Sequence, residues 1–149
     1  SGPEPQRGIL EEILKREVLR FDGKVVFIKG IVEKEQKKEE IENITYYNFM
    51  NTRQIEQTFN ESEIVLSRSG YTTIMDLAVL QKKAFFIPTP GQYEQEYLAK
   101  KLKNNNLVPY VEQDNFIIVS LAEIINYQGL PIVNTAFDWA DLLKVFDDK

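Results

Sequence analysis

Residues 62–102, SEIVLSRSGYTTIMDLAVLQKKAFFIPTPGQYEQEYLAKKL, repeat one pattern twice. In each half, a short apolar run is followed by a polar loop and then by a segment with apolar residues at helical spacing. Apolar runs that do not alternate with polar residues are typical of strands covered on both faces of a parallel sheet. The stretch therefore predicts two consecutive strand–loop–helix units of an α/β protein.

The rest of the chain continues this alternation. Strands are predicted at residues 24–28, 44–47, 63–66, 84–87 and 107–111. Apolar stripes of helical period are formed by Ile9, Ile13, Leu14 and Val18; by Ile55 and Phe59; by Ile74, Leu77, Ala78 and Leu80; and by Leu98, Ala99 and Leu102. Two further helices are predicted at residues 121–127 and 138–146. We expect a single domain over residues 1–149, with a doubly wound, Rossmann-like parallel sheet.

Composition excludes several kinds of chemistry. The 149 residues carry a formal net charge of -5 and contain neither cysteine nor histidine. Disulfides, thiolate metal sites and a Ser-His-Asp triad are therefore impossible, and binding to nucleic acid is disfavoured. No apolar run approaches the ~20 residues that cross a bilayer. We expect a soluble cytoplasmic protein, as the lack of cysteine fits a reducing compartment.

Two segments outside the repeated pattern give weaker signals. Residues 33–42, EKEQKKEEIE, mix charges of both signs and predict a solvated helix or loop without a site. Residues 1–7, SGPEPQR, resemble a loop between a strand and a helix, although no strand precedes them. We expect the first strand of the sheet to come from a preceding segment of a longer protein or from another chain, with a longer protein favoured.

The first loop, residues 68–73, lies where ligands bind in doubly wound sheets, beyond the carboxyl end of a strand. Gly70 would let a ligand approach the backbone, and the amides that open the next helix suit an anion. Asp76 follows Thr72 by four residues, so the two side chains share a helix face about 5.4 Å apart along the axis. This spacing suits a nucleotide, with phosphate at the helix start and ribose at the carboxylate. The alternative is structural: Ser69 caps the helix with Thr72, and Asp76 faces solvent.

The second loop, residues 88–92, contains two prolines and Gly91, and a helix is predicted to begin near Tyr93. Gln95 and Glu96 stand in its first turn, where an amide and a carboxylate can bind sugar hydroxyls. Acidic residues at a helix start are also favourable for stability alone, by roughly 0.3–1 kcal/mol each. Both interpretations stay open from the residues themselves.

Together, the two loops resemble the C-terminal, donor-binding half of GT-B glycosyltransferases, the family 28 C-terminal domain. The similarity is closest to the branch of the bacterial cell-wall lipid II N-acetylglucosaminyltransferases, spans roughly residues 2–114, and is strongest over residues 62–102. In that family, a strand ending in Arg-Ser-Gly leads to a threonine-bearing helix and an acidic residue. A proline-rich loop and a glutamine pair follow in the family; here the corresponding residues are Pro88 to Gly91 and Gln95-Glu96. The ordered pair of motifs is far more specific than a lone Ser-Gly.

The resemblance implies a role for each matching residue. The diphosphate would be held by Arg68, Ser69, Gly70, Thr72 and Thr73, the ribose by Asp76, and the donor hexose by Gly91, Gln95 and Glu96. The uracil edge would meet the main chain of Phe49 and Met50, with Met50 the better position. The loop that includes Gly2 and Arg7 would face the cleft between two domains.

The chain departs from the family pattern at three positions. Asp76 replaces the usual glutamate, Glu96 replaces the second glutamine, and Gly91 stands where histidine is common. Nucleotide binding is therefore better supported than any particular sugar.

The resemblance implies an inverting hexosyltransferase that uses a UDP-sugar such as UDP-N-acetylglucosamine, without cofactor or metal, consistent with the lack of an Asp-x-Asp motif. Its base would come from an N-terminal domain in cis or in trans, so this domain alone would be inactive. The acceptor is unknown, and a lipid-linked acceptor would place the protein at the inner membrane face. Alternatives are a nucleotide-sugar hydrolase on the same scaffold and a non-catalytic donor-binding subunit of a two-chain transferase.

Overall fold

The computed structural model describes residues 2–31, 33–132 and 140. Its backbone divides into two compact units, Ser1–Glu61 and Ser62–Lys149, which are described separately below. Each unit combines helices with a pair of parallel strands, which confirms the mixed α/β class. The single domain and the doubly wound sheet stay predictions. The predicted helix at residues 138–146 lies, except for residue 140, outside the described part of the chain.

The first unit consists of two helices and a three-stranded sheet. Its elements are α1 (Gln6–Val18), β1 (Val25–Ile28), β2 (Lys38–Ile41), β3 (Ile44–Tyr47) and α2 (Thr52–Glu61). The strand order is β1-β3-β2, with β1 parallel and β2 antiparallel to β3. Both predicted helices and both predicted strands of this unit are therefore found, and β3 has the predicted bounds.

The core of this unit forms where α1 meets the sheet. Val18, Phe27, Ile44 and Tyr46 are buried together, and the Phe27 and Tyr46 ring centroids are 5.4 Å apart. Burial alternates along β3, as expected for a strand with one face against a core. In β1, Val26 is 45% exposed, so the expectation of burial on both faces is wrong for this strand.

Strand β2 corrects the prediction for residues 33–42. All four of its residues are exposed, as expected for a solvated segment, but they form an edge strand instead of a helix or loop. Lysine and glutamate are depleted in strands generally, yet charged side chains are common on edges, where they discourage pairing with other chains. The charge pattern alone could not separate these cases.

The second unit carries the repeated strand–loop–helix pattern. It contains β4 (Ile64–Ser67), α3 (Tyr71–Val79), β5 (Lys83–Phe86) and α4 (Tyr93–Asn104), followed by 3-10 helices at Gln113–Asn115 and Ile118–Asn126. Strands β4 and β5 are parallel, with Ser67 opposite Phe86. Helix α4 begins at Tyr93 as predicted, and Asn106 after its end has a φ of 56°, the left-handed conformation expected of the asparagine stop.

Two predictions for the end of this unit are wrong in detail. Residues 107–111 form only an isolated parallel bridge between Phe86 and Tyr110. Pro109 accepts a hydrogen bond from Phe86 but has no N–H to donate, which limits a ladder here. The segment predicted as a helix at 121–127 is a 3-10 helix that begins earlier, at Ile118.

Candidate functional site

Arg68, the first residue after β4, is an internal clamp. Its side chain is buried, and Nη1 donates to the carbonyl oxygens of Ile87 (3.1 Å) and Pro88 (3.0 Å). Nη2 donates to Oε1 of Gln113 at 2.6 Å. Burial lowers the pKa of Arg68 to about 10, which leaves the guanidinium charged at neutral pH. The residue therefore fastens the start of the second loop to the 3-10 turn at Gln113.

Ser69 joins the two loops directly. Its side chain is fully buried, and its hydroxyl donates to the main-chain carbonyl of Gln95 at 2.8 Å. Since β4 and β5 are parallel, their carboxyl ends lie at the same edge of the sheet. This hydrogen bond therefore sets the beginning of α3 beside the first turn of α4, as the sequence predicted for two neighbouring loops.

Gly70 is the N-cap of α3, and no side chain caps this helix. The structural alternative in which Ser69 and Thr72 cap α3 is therefore wrong. Gly70 has a φ of -70°, which any residue can adopt, and a Cβ at this position would meet nothing within 4 Å. Neither backbone conformation nor internal packing requires glycine here, so the open space beside the helix start is available to a ligand.

The residues after Gly70 complete an open helix start. Thr72 is exposed and Thr73 is partly exposed. The first main-chain hydrogen bond of this turn runs from the Ile74 N–H to the Gly70 carbonyl oxygen, so the amides of Thr72 and Thr73 have no acceptor within the helix. Asp76 is exposed one turn further on, which meets the requirement for ribose binding and also matches the solvent-facing alternative.

The second loop is closed by its own hydrogen bonds. Gln95 Oε1 accepts from the Thr89 N–H at 2.9 Å, and Gln95 Nε2 donates to Oε1 of Gln92. Glu96 Oε1 accepts from the Gly91 N–H at 2.8 Å. Gly91 has a φ of 80°, which favours glycine at the turn. Both predicted hexose-binding side chains thus shape the loop before any sugar is present.

The predicted uracil segment belongs to the first unit and is shaped by Asn48, which is buried. Asn48 Oδ1 accepts from the N–H groups of Lys37 (2.7 Å) and Phe49 (3.0 Å). Gln36 Nε2 donates to the Phe49 carbonyl at 2.8 Å. Both main-chain groups of Phe49 are therefore engaged within the protein, and the assignment of the uracil edge to Met50 stays a prediction.

Gly2 and Arg7, predicted in one loop facing a cleft, differ in structure. Gly2 is exposed with a φ of 120°, whereas Arg7 lies within α1. Arg7 forms ion pairs with Glu4 and with Glu11, the latter at 2.7 Å, and the hydrogen bonds that it donates to Glu11 and Glu4 raise its pKa. The placement of Arg7 in the loop is therefore wrong, and its charge is already paired.

Sequence reasoning missed the side chains that hold these loops. Gln113 and Asn48 are buried polar residues whose partners are distant in sequence, and only the folded structure brings them together. Asn48 carried a partial signal, since asparagine directly after a strand often bonds to nearby backbone. Nothing in the local sequence around Gln113 indicated its bond to Arg68.

Comparison with known proteins assigns the family. The model of the glycosyltransferase family 28 C-terminal domain matches residues 8–128, most of the chain. The chain belongs to this family. No solved structure gives a significant match.

Three curated relatives of this family 28 domain have the same name, UDP-N-acetylglucosamine–N-acetylmuramyl-(pentapeptide) pyrophosphoryl-undecaprenol N-acetylglucosamine transferase. The protein from Buchnera aphidicola subsp. Schizaphis graminum is 32% identical over 85 residues, 55% of this chain and 24% of the relative. The protein from Sulfurihydrogenibium sp. is 27% identical over 115 residues, 76% of this chain and 32% of the relative. The protein from Rickettsia massiliae is 34% identical over 85 residues, 54% of this chain and 22% of the relative. The chain thus spans less than a third of each relative's length.

The described residues lack two further kinds of feature. Within residues 2–31, 33–132 and 140, no helix is both long and apolar enough to span a bilayer. The same residues contain no group of three or more acidic side chains arranged to hold a metal ion.

Proposed function

We propose that this chain binds the nucleotide-sugar donor of an inverting hexosyltransferase, with the diphosphate at the start of α3. The observation that carries the proposal is the open helix start, where Gly70 leaves space for a ligand and no side chain caps the helix. A helix N-terminus presents N–H donors and a partial positive charge, which suit a diphosphate. Membership of the glycosyltransferase family 28 C-terminal domain supports the same assignment.

The residues of the first loop take two different roles in this proposal. Gly70, Thr72 and Thr73 contact the diphosphate, and Asp76 accepts hydrogen bonds from the ribose hydroxyls. Arg68 and Ser69 are positioning residues, because their polar groups are buried and bonded to the protein itself. Their contribution is to fix the second loop beside the helix start.

The donor sugar and the catalytic base are proposed on other grounds than the contacts of the first loop. The names of the three relatives support UDP-N-acetylglucosamine as the donor and a lipid-linked acceptor. We propose that such an acceptor brings the protein to the inner membrane face. We assign Gly91, Gln95 and Glu96 to the hexose that follows the diphosphate. The base that activates the acceptor comes from an N-terminal domain, so this chain alone binds donor without transferring it.

Departure of UDP leaves negative charge on the diphosphate as the bond to the sugar breaks. The α3 amides and threonine hydroxyls stabilise that charge because they already point to where it develops. We propose that transfer needs no metal for this reason. Activity of the complete enzyme should therefore persist in excess EDTA.

Binding of UDP to the full chain tests the proposal. UDP should raise the melting temperature, since a ligand that binds only the folded state stabilises it. Asp76→Ala should weaken UDP by about tenfold, the equivalent of roughly 1.4 kcal/mol, while leaving pyrophosphate binding unchanged. Asp22→Ala, at another exposed carboxylate, is the matched control. No thermal shift at millimolar UDP would reject donor binding, and equal losses for UDP and pyrophosphate would reject the ribose role.

A further inference from the structure

The loop between β3 and α2 begins at Asn48, whose buried side chain uses its full hydrogen-bonding capacity. Oδ1 accepts from the N–H groups of Lys37 and Phe49. Nδ2 donates to Oε2 of Glu33 and to the carbonyl oxygen of Glu35, both at 2.9 Å. The start of this loop is therefore fastened to the segment that precedes β2.

The other end of the loop is fastened to the same segment through Gln36. Gln36 Nε2 donates to the carbonyl oxygen of Phe49 at 2.8 Å and to Oε1 of Gln54 at 2.9 Å. Gln54 and Asn51 bond reciprocally at the start of α2, since the side-chain oxygen of each accepts from the main-chain N–H of the other. Gln36 thus ties the middle of the loop to the capped end of the helix.

Met50 lies between these two fastened points. In the part of the chain that the structure describes, no group bonds to its main-chain N–H or carbonyl oxygen, whereas both main-chain groups of Phe49 are engaged. Met50 is partly exposed, so this donor and this acceptor are left for solvent or for a ligand. We call Asn48 together with residues 33–37 the loop clamp.

The loop stands where a ligand can use this donor and acceptor. Strand β3 is parallel to β1, and the loop follows its carboxyl end, the edge at which α/β sheets bind ligands. Uracil presents the O4 acceptor beside the N3–H donor, whereas cytosine presents the N4–H donor beside the N3 acceptor, which is the reverse order. A main-chain pair held in one orientation fits one of these bases, while a pair that can turn accepts both.

We propose that Asn48 and Gln36 are positioning residues that hold the main chain of Met50 in the orientation that accepts uracil and rejects cytosine. This role rests on the proposed donor function, because the base belongs to the same UDP-sugar. The clamp acts through the loop, since its polar groups bond within the protein. A loop already held in its bound conformation also loses less entropy when the ligand binds. Part of the charged segment predicted to lack a site therefore supports one.

Calorimetric titration of the full chain with UDP, CDP and pyrophosphate tests this role. The unaltered chain should bind UDP at least about tenfold more tightly than CDP. Gln36→Ala, at an exposed residue, should lower this UDP-to-CDP ratio about fivefold, the effect of one hydrogen bond, with pyrophosphate affinity unchanged. Gln57→Ala, at an exposed glutamine of α2, is the matched control and should keep the ratio.

Three outcomes of this titration would overturn the positioning role. They are equal affinity of the unaltered chain for UDP and CDP, an unchanged ratio in Gln36→Ala, and an equal loss of UDP, CDP and pyrophosphate in that variant. If the unaltered chain binds none of the three ligands, the proposed donor function fails instead.

A change of polarity at Asn48 gives a second test with a rescue. Asn48→Asp places a carboxylate against that of Glu33 and should lower the UDP-to-CDP ratio at least about fivefold. Adding Glu33→Gln restores a donor opposite this carboxylate and should recover part of the ratio. No recovery in a double variant that keeps its melting temperature would contradict the role of Asn48. Gln36→Ala decides the question if the Asn48 variants do not fold.

Discussion

The two loops that follow β4 and β5 contain similar polar residues, but these residues form different contacts. In the first loop, the long side chain of Arg68 turns inward and the helix start is left uncapped. In the second loop, Gln95 and Glu96 turn back onto the loop and bind its N–H groups. The first loop is therefore open to an anion, whereas the second is closed on itself and held in place by the first. A polar residue in a loop after a strand can thus bind a ligand or stabilise the loop. The hydrogen bonds that it forms in the folded structure distinguish the two roles.

Removing the Arg68 clamp should have the largest effect. Arg68→Met leaves two carbonyls and the Gln113 side chain without their buried donor, which should cost on the order of 3 kcal/mol of unfolding free energy. Arg53→Met, at an exposed arginine, should change stability by less than about 0.5 kcal/mol. Urea denaturation measures both. If Arg68→Met loses no more unfolding free energy than the control, the guanidinium is dispensable to the fold. Arg68 would then again be a candidate for binding the diphosphate.

Cutting the bond between the loops should have the next largest effect. Ser69→Ala removes the donor to the Gln95 carbonyl in a fully buried place, which should cost about 1–2 kcal/mol. Ser67→Ala is the control, because that hydroxyl is partly exposed and donates to the carbonyl of the adjacent residue, Arg68. Thermal denaturation compares the two. If Ser69→Ala keeps its stability yet loses UDP, the hydroxyl touches the ligand and the assigned positioning role fails.

Opening the second loop should have the smallest effect. Gln95→Ala deletes one backbone contact at the helix start, which should cost about 0.5–1 kcal/mol. UDP affinity should stay within about twofold, since the loop contacts the sugar and not the diphosphate in this account. Gln57→Ala, on exposed α2, is the control. Titration with UDP and with UDP-N-acetylglucosamine separates the two ends of the ligand, and an equal large loss for both would contradict the assignment.

The sequence was informative where a local rule decides the structure. Strand β3 and the start of α4 were predicted to the residue, because apolar periodicity and loop residues mark them. The sequence was uninformative where a residue distant along the chain determines the local structure. Strand β2 depends on pairing with β3 and not on its own charged residues, and the fate of Arg68 depends on Gln113, 45 positions away.

The same distinction applies to the candidate site. Sequence placed Gly70, Thr72, Thr73 and Asp76 at one helix start, and the structure puts them there, with nothing within 4 Å of a Cβ added at Gly70. Their binding of a ligand stays a prediction. The sequence could not tell that Ser69 and Arg68, adjacent in the motif, point into the protein. Adjacent residues in a loop can face either the interior or the solvent, and tertiary packing decides which.

The most direct test of the account is calorimetric titration of UDP into the chain and its Gly70→Val variant at one salt concentration. The φ of Gly70 suits any residue and its Cβ would meet open space, so Gly70→Val should keep its melting temperature. Its branched side chain would occupy the proposed diphosphate position, and UDP should bind at least about tenfold more weakly. Equal affinity in the two proteins would contradict the claim that the start of α3 holds the diphosphate.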